Sequence, residues 1–182
     1  MRQNITVFCG SADHCPAAYL DAAEALGRLI ARQGRRLIYG SGQCGLMGRT
    51  AKGAEEAGGA ITGINVRRFQ EYLPYPGTDE FIMTETLAER KLALIRRGDA
   101  CIALPGGVGT LDELMDVYAL AQIGAYEGPL GLLNVNGYWD GLLTFFRRAL
   151  QDGLLNQADY RRLIVSEEAE ELLRLLDDWR KP

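Results

Sequence analysis

The sequence has a single histidine, His14, and four cysteines (Cys9, Cys15, Cys44, Cys101) at irregular spacing, with no C-x-x-C pair. A zinc site or a Ser-His-Asp triad needs partners at ligand or relay spacing, and none surrounds His14. No metal site is expected. The cysteines sit mostly among apolar residues and glycine, so they read as small buried side chains in a reducing compartment. No apolar run approaches the ~20 residues of a membrane helix, and the opening MRQNITVFCGS holds no signal-peptide apolar core. A cytoplasmic protein with no membrane partner is expected. Basic excess is missing too: the net charge is −4, whereas non-specific nucleic-acid binding needs a positive field. No repeat, low-complexity tract or domain boundary interrupts the 182 residues. They suit one domain, 1–182, of a size that buries about 70% of its unfolded surface.

What is present is a steady alternation of strand-length apolar runs and helix-length amphipathic stretches. Strands are expected at 5–10, 35–40, 60–65, 100–106, 130–135 and 163–166. Between them lie helices at about 16–34, with Pro16 in the first turn and Gly34 at the end, and at 45–58. Further helices are expected from about Thr84, from Thr110 to Ile123, and at about 138–152, with a closing helix N-capped by Ser166. The pattern predicts an α/β fold: a mainly parallel sheet with helices on both faces. The segment VRRFQEYLPYPGTDE (66–80) is the one long irregular stretch, and loops of that length are often lids or binding loops.

In such a sheet, ligands bind where strand ends open into loops that enter helices. Three of these junctions are small or glycine-rich: Cys9-Gly10-Ser11, Gly40 to Gly48, and PGGVGTLDE from Pro105 to Glu113. In the third, Gly106, Gly107 and Gly109 let the backbone turn tightly and approach a ligand. The free N–H groups of the helix that follows favour an anion such as phosphate. Thr110 and Glu113 also fit a capping box, Thr at N-cap and Glu at N3, which needs no ligand. Both readings stand at this point, although three glycines before the threonine exceed what a cap requires.

Gly40-Ser41-Gly42-Gln43-Cys44-Gly45 matches the dinucleotide fingerprint G-x-G-x-x-G. That fingerprint expects an acidic residue about 20 positions on, to hold the ribose. The corresponding place here is AITGIN (60–65), which has no carboxylate. A nicotinamide-dependent oxidoreductase is therefore disfavoured. Two glycine loops at neighbouring strand ends suit a single mononucleotide better.

YGSGQCGLMG, the ERK at 89–91 and PGGVGTLDEL at 105–114 together resemble the Lonely Guy (LOG) family of cytokinin-activating phosphoribohydrolases. The similarity runs from about residue 5 to 155. It implies a modified Rossmann fold and a homodimer with its active site near the subunit interface. It also implies hydrolysis of the N-glycosidic bond of a nucleoside 5′-monophosphate, with no cofactor. By motif position, Arg90 and Glu113 correspond to the family's catalytic pair. Lys91, Gly107, Val108, Gly109, Thr110, Leu111 and Asp112 fall in its nucleotide-binding segments, and Glu71 matches a loop glutamate that contacts the nucleotide. Gly10, Ser11, Gly42, Gly45 and Met47, from the other two junctions, complete the expected substrate-binding set. Three positions depart from the pattern: Ser41 for a glycine, Ala88 for a histidine, and Asp112 for the first glutamate of a pair. Family members are often labelled lysine decarboxylases, but the chain shows no pyridoxal-phosphate signature and has only Lys52, Lys91 and Lys181 as lysines.

Cleaving a ribosyl-base bond builds an oxocarbenium-like charge on the sugar. A carboxylate at Glu113 would stabilise that charge and orient water, while Arg90, always protonated, would hold Glu113 or touch the nucleotide. Without the resemblance, Arg90-Lys91 reads as a solvated helix face. The alternative function is a non-catalytic carrier for a phosphorylated nucleotide-like cofactor, which would use the same loops without turnover.

Overall fold

Four of the five residues of strand β1 (Asn4–Phe8) are buried, as a strand with neighbours on both edges and helices on both faces requires. The computed structural model describes residues 2–69 and 74–180. β1 pairs in parallel with β2 (Arg36–Tyr39) on one edge and β5 (Ala100–Ala103) on the other. β3 (Ile61–Val66) and β4 (Glu80–Thr84) extend the sheet beyond β2, and β6 (Leu130–Leu133) and β7 (Leu163–Ser166) beyond β5. The order is β4-β3-β2-β1-β5-β6-β7, with every pairing parallel. This is the expected doubly wound α/β architecture.

Alternation along the strands assigns the two faces. Ile5, Val7, Leu37, Tyr39 and Ile102 pack with residues of α1 (Ala17–Arg32), α2 (Gly45–Glu56) and α7 (Ala169–Asp178). Phe8, Ile38, Ile64 and Cys101 pack on the other face against α3 (Leu87–Arg97), α4 (Val108–Gln122) and α5 (Asp140–Gln151). A short α6 (Gln157–Tyr160) precedes β7. Among the described residues, no helix is long and apolar enough to cross a membrane.

Several helix starts differ from the sequence reading. Pro16 lies just outside α1, at its N-cap, instead of in its first turn. α3 begins at Leu87, three residues after Thr84, because Thr86 and Glu89 close a reciprocal capping box there. α7 begins at Ala169; Ser166 Oγ accepts from Glu168 N at 3.1 Å and donates to Glu171, two residues ahead of the cap position. Only Cys9 and Cys101 are buried, whereas Cys15 is half-buried and Cys44 is exposed at the residue preceding α2. Burial pushes the Cys101 thiol up to about 12 and raises Cys9 further, so neither is a thiolate nucleophile near neutral pH.

The chain winds outward from β1 to β4 in one direction and from β5 to β7 in the other, so its topology reverses between β1 and β5. Such switch points are where open α/β sheets hold ligands. Here the loops after the two strands are joined directly, with Gly10 N donating to Pro105 O at 3.1 Å.

Candidate active site

α3 crosses from the sheet's edge back over its centre and carries Arg90 under the strand ends. Each of the three nitrogens of the Arg90 guanidinium, a planar fork, donates one hydrogen bond there. Nε donates to Ile64 O at 3.0 Å, Nη2 to Gly40 O at 3.2 Å, and Nη1 to Glu113 Oε1 at 2.7 Å. Glu113 comes from α4, so this ion pair ties the two halves of the sheet across the switch point. Arg90 is 9% and Glu113 7% exposed, which overturns the solvated-face reading of Arg90. A Cβ on residue 40 would lie 2.1 Å from Arg90 Nη2, so Gly40 is needed for the guanidinium to reach its carbonyl.

Burial pushes the Glu113 carboxyl above the ordinary glutamate value, and the adjacent Arg90 opposes that shift without cancelling it. Glu113 Oε2 takes no hydrogen bond from the described residues. One oxygen is thus fixed by Arg90 while the other is available to a ligand or water.

The capping box that Thr110 and Glu113 could have formed is absent. α4 starts two residues earlier, at Val108, with Gly107 at N-cap and no side-chain cap. Glu113 is therefore a full turn inside the helix and turned toward Arg90. The first helical bond is Leu111 N to Gly107 O, 3.1 Å. The amides of Gly107, Val108, Gly109 and Thr110 have no acceptor among the described residues. Added Cβ atoms at 107 and 109 would meet nothing within 4 Å. Gly106 differs: a Cβ there would lie 2.1 Å from Thr110 Oγ1 and 2.9 Å from Gly10 N. That glycine is required by packing, and it seats the buried Thr110. The result is an open, uncapped helix N-terminus beside a buried carboxylate-guanidinium pair.

The first glycine loop is built the other way. Gly45 N donates to Asp13 Oδ1 at 2.8 Å, and Leu46 N and Met47 N both reach Gly10 O, at 3.0 and 3.3 Å. The amides that would greet a phosphate at α2 are already bonded. Gly45 has φ +58°, and a Cβ there would lie 2.6 Å from the Ser11 carbonyl carbon. Gly42 lies against the Met47 side chain. Gly10, Ser11, Gly42, Gly45 and Met47 are therefore brought together as a packed wall, whose helix offers no free amides at Gly45, Leu46 and Met47.

Lys91 lies outside the pair, on the α3–α4 surface. Its Nζ meets Asp112 at 3.0 Å and Asp116 at 2.6 Å, and these carboxylates, Asp116 first, hold its ammonium above the ordinary lysine value. Asp116 was not singled out in the sequence, although it lies one turn beyond Asp112 on the same helix face. Val108 and Leu111 are exposed. Glu71 lies outside the described residues. Downstream of it, Pro74 O accepts from Gln43 Nε2 at 2.9 Å and Tyr75 OH bonds Glu55 at 2.9 Å, tying 74–78 to the first glycine loop and α2. A groove of about 720 Å³ lined by Arg96, Asp99, Tyr126 and Trp179 opens at the amino-terminal ends of the strands. Neither the Arg90–Glu113 pair nor either glycine loop lines it. Among the described residues, no His/Cys/Asp/Glu cluster is arranged to hold a metal ion.

A family model described as "Possible lysine decarboxylase" matches residues 47–176. Cytokinin riboside 5′-monophosphate phosphoribohydrolase LOG5 of Arabidopsis thaliana is 38% identical over 179 residues, covering 98% of this chain and 78% of that protein. LOG2 of the same plant is 35% identical over 178 residues, covering 97% of this chain and 84% of that protein. The chain belongs to the LOG family. Among solved structures, the molybdenum cofactor binding protein from the phototrophic bacterium Rippkaea orientalis is similar with a TM-score of 0.75. Identity is 24%, covering 98% of this chain and 97% of that one. The Moco carrier protein from Chlamydomonas reinhardtii is similar at a TM-score of 0.73, with the same identity and coverage. At that identity the likeness is one of fold.

Against the LOG pattern, the three departures have distinct surroundings. Ser41 is fully buried at φ +64°, a left-handed conformation that disfavours any side chain. Ala88 is exposed in the first turn of α3. Asp112 holds Lys91.

Proposed function

We propose that this LOG-family protein hydrolyses the N-glycosidic bond of a nucleoside 5′-monophosphate, a cytokinin riboside 5′-monophosphate or AMP, to free base and ribose 5-phosphate. The observation that carries this reading is the buried Arg90–Glu113 pair, 2.7 Å apart, beside an uncapped helix N-terminus. The names of the relatives supply the reaction class. The 5′-phosphate seats on the amides of Gly107 to Thr110, where the helix dipole favours negative charge. The ribose then lies over Glu113. As the bond to the base stretches, positive charge grows on the sugar, and the Glu113 carboxylate stabilises it. Its free Oε2 orients water for attack at the sugar carbon, and one proton of that water ends on the departing base. Arg90 keeps Glu113 ionised and aimed. Lys91, Leu111 and Asp112 flank the nucleotide, with the Gly42–Met47 wall opposite and Glu71 as the loop contact. The working unit is a homodimer in the cytoplasm, its site near the subunit interface.

Incubation with AMP and with an N6-prenyl adenosine monophosphate, followed by assay for base and ribose 5-phosphate, tests the proposal. Equimolar products are expected. Tight retention of intact nucleotide without cleavage would instead establish the carrier alternative.

A further inference from the structure

Tyr138 stands beside the phosphate loop, on the turn between β6 and α5. Its hydroxyl donates to Gly106 O at 2.6 Å. The ring is held edge-on between Tyr19, at 5.5 Å, and Trp139, at 5.0 Å between centroids. The turn itself is tightly specified. Asn136 and Gly137 take φ of +52° and +71°. Asn134 fastens both ends, accepting from Trp139 N at 2.7 Å and donating to Asp140 at 2.9 Å. Asn136 and Gly137 are the residue types that take this left-handed conformation most readily, so sequence and turn geometry agree.

The contact matters because of what lies on the other side of the same peptide bond. A trans peptide is planar, so the Gly106 carbonyl and the Gly107 N–H point in opposite directions. Glycine on both sides gives this plane the greatest freedom to rotate. Gly107 has nothing within 4 Å of where a Cβ would be, so no side-chain contact at 107 holds the plane. Tyr138, by holding the carbonyl, fixes where the Gly107 N–H points. It also polarises the amide toward stronger donation.

We infer that Tyr138 is a positioning residue for phosphate recognition, setting the Gly106–Gly107 peptide so that the Gly107 N–H faces the 5′-phosphate. This rests on the reading that the phosphate seats at Gly107 to Thr110. Tyr138→Phe keeps the ring and its aromatic neighbours and removes only the hydroxyl. Affinity for ribose 5-phosphate and AMP, measured by calorimetric titration, should weaken roughly three- to tenfold. Affinity for adenosine, which lacks the phosphate, should be unchanged, and the thermal midpoint should fall by no more than a few degrees. KM should rise by the same factor with kcat nearly constant. A Phe variant that binds ribose 5-phosphate as tightly as wild type overturns the inference, as does an equal loss for adenosine and AMP. Wild-type protein that binds AMP without cleaving it contradicts the hydrolase reading alone and leaves the Tyr138 comparison decisive. Wild-type protein that takes up no ribose 5-phosphate overturns both.

Discussion

Two strand-to-helix junctions, Gly40 to Gly48 after β2 and Pro105 to Thr110 after β5, carry nearly the same density of glycine and do opposite things with it. In the first, glycine is imposed by the protein's own packing. A Cβ at Gly48 would lie 2.0 Å from Gln43 O, and the amides of Gly45, Leu46 and Met47 are bonded internally. In the second, Gly107 and Gly109 face open space, and the amides of Gly107 to Thr110 have no acceptor among the described residues. Only the second is shaped for something the chain does not supply. A glycine-rich junction indicates a ligand when its missing side chains leave space, and only a tight turn when they relieve a clash.

The largest effect should fall on the pair between the junctions. Glu113→Gln or Arg90→Ala is expected to lower kcat by at least about 10²-fold in the base-release assay. A loss of only a few-fold would reduce the pair to a structural tie. The pH profile adds a second reading. Because burial raises the Glu113 carboxyl above the ordinary glutamate range, the acid limb of kcat/KM should lie above that range. It should move higher still in Arg90→Met. The linked stability has the opposite sense. Stability associated with the neutral carboxyl is present at low pH and is lost as pH rises through the raised folded-state value.

The junctions themselves should separate on substitution. Gly48→Ala forces backbone to move and should cost about 2–3 kcal/mol in urea unfolding. Gly109→Ala sits in the first turn of α4 with no clash, so the fold should gain up to about 1 kcal/mol from the better helix former. The same methyl intrudes on the anion space, and AMP affinity should fall by about tenfold. A Gly109→Ala protein that binds AMP normally would erase the distinction between the loops. The smallest change is expected at Ser41, a buried left-handed serine whose Oγ makes no well-formed hydrogen bond among the described residues. Ser41→Gly should stabilise the protein by about 1 kcal/mol, and an unchanged or lowered thermal midpoint would show that the hydroxyl has a use.

The fold was legible because strand and helix periods alternate cleanly, and the buried runs around Ile5, Ile38, Ile64 and Ile102 mark the sheet's interior. Arg90 and Glu113 were found through family motifs, since Arg90-Lys91 alone resembles any charged helix face. What escaped the sequence was the start of α4. Thr-x-x-Glu fits a capping box at both 86–89 and 110–113, yet only the first forms, because the buried Arg90 draws Glu113 away from its own helix end. Tyr138 could not be read as a site residue: its partner is a main-chain carbonyl 32 positions away, and no side-chain pattern records such a contact. The Asn136-Gly137 pair signals only a turn.

The phosphate is expected at the α4 junction and not at the α2 junction. Amide chemical shifts recorded during titration with ribose 5-phosphate test it directly. Large, saturable shifts are expected at Gly107, Val108, Gly109 and Thr110, with Gly45, Leu46 and Met47 nearly still. Shifts concentrated at Gly45 to Met47, with the α4 amides unmoved, would contradict it.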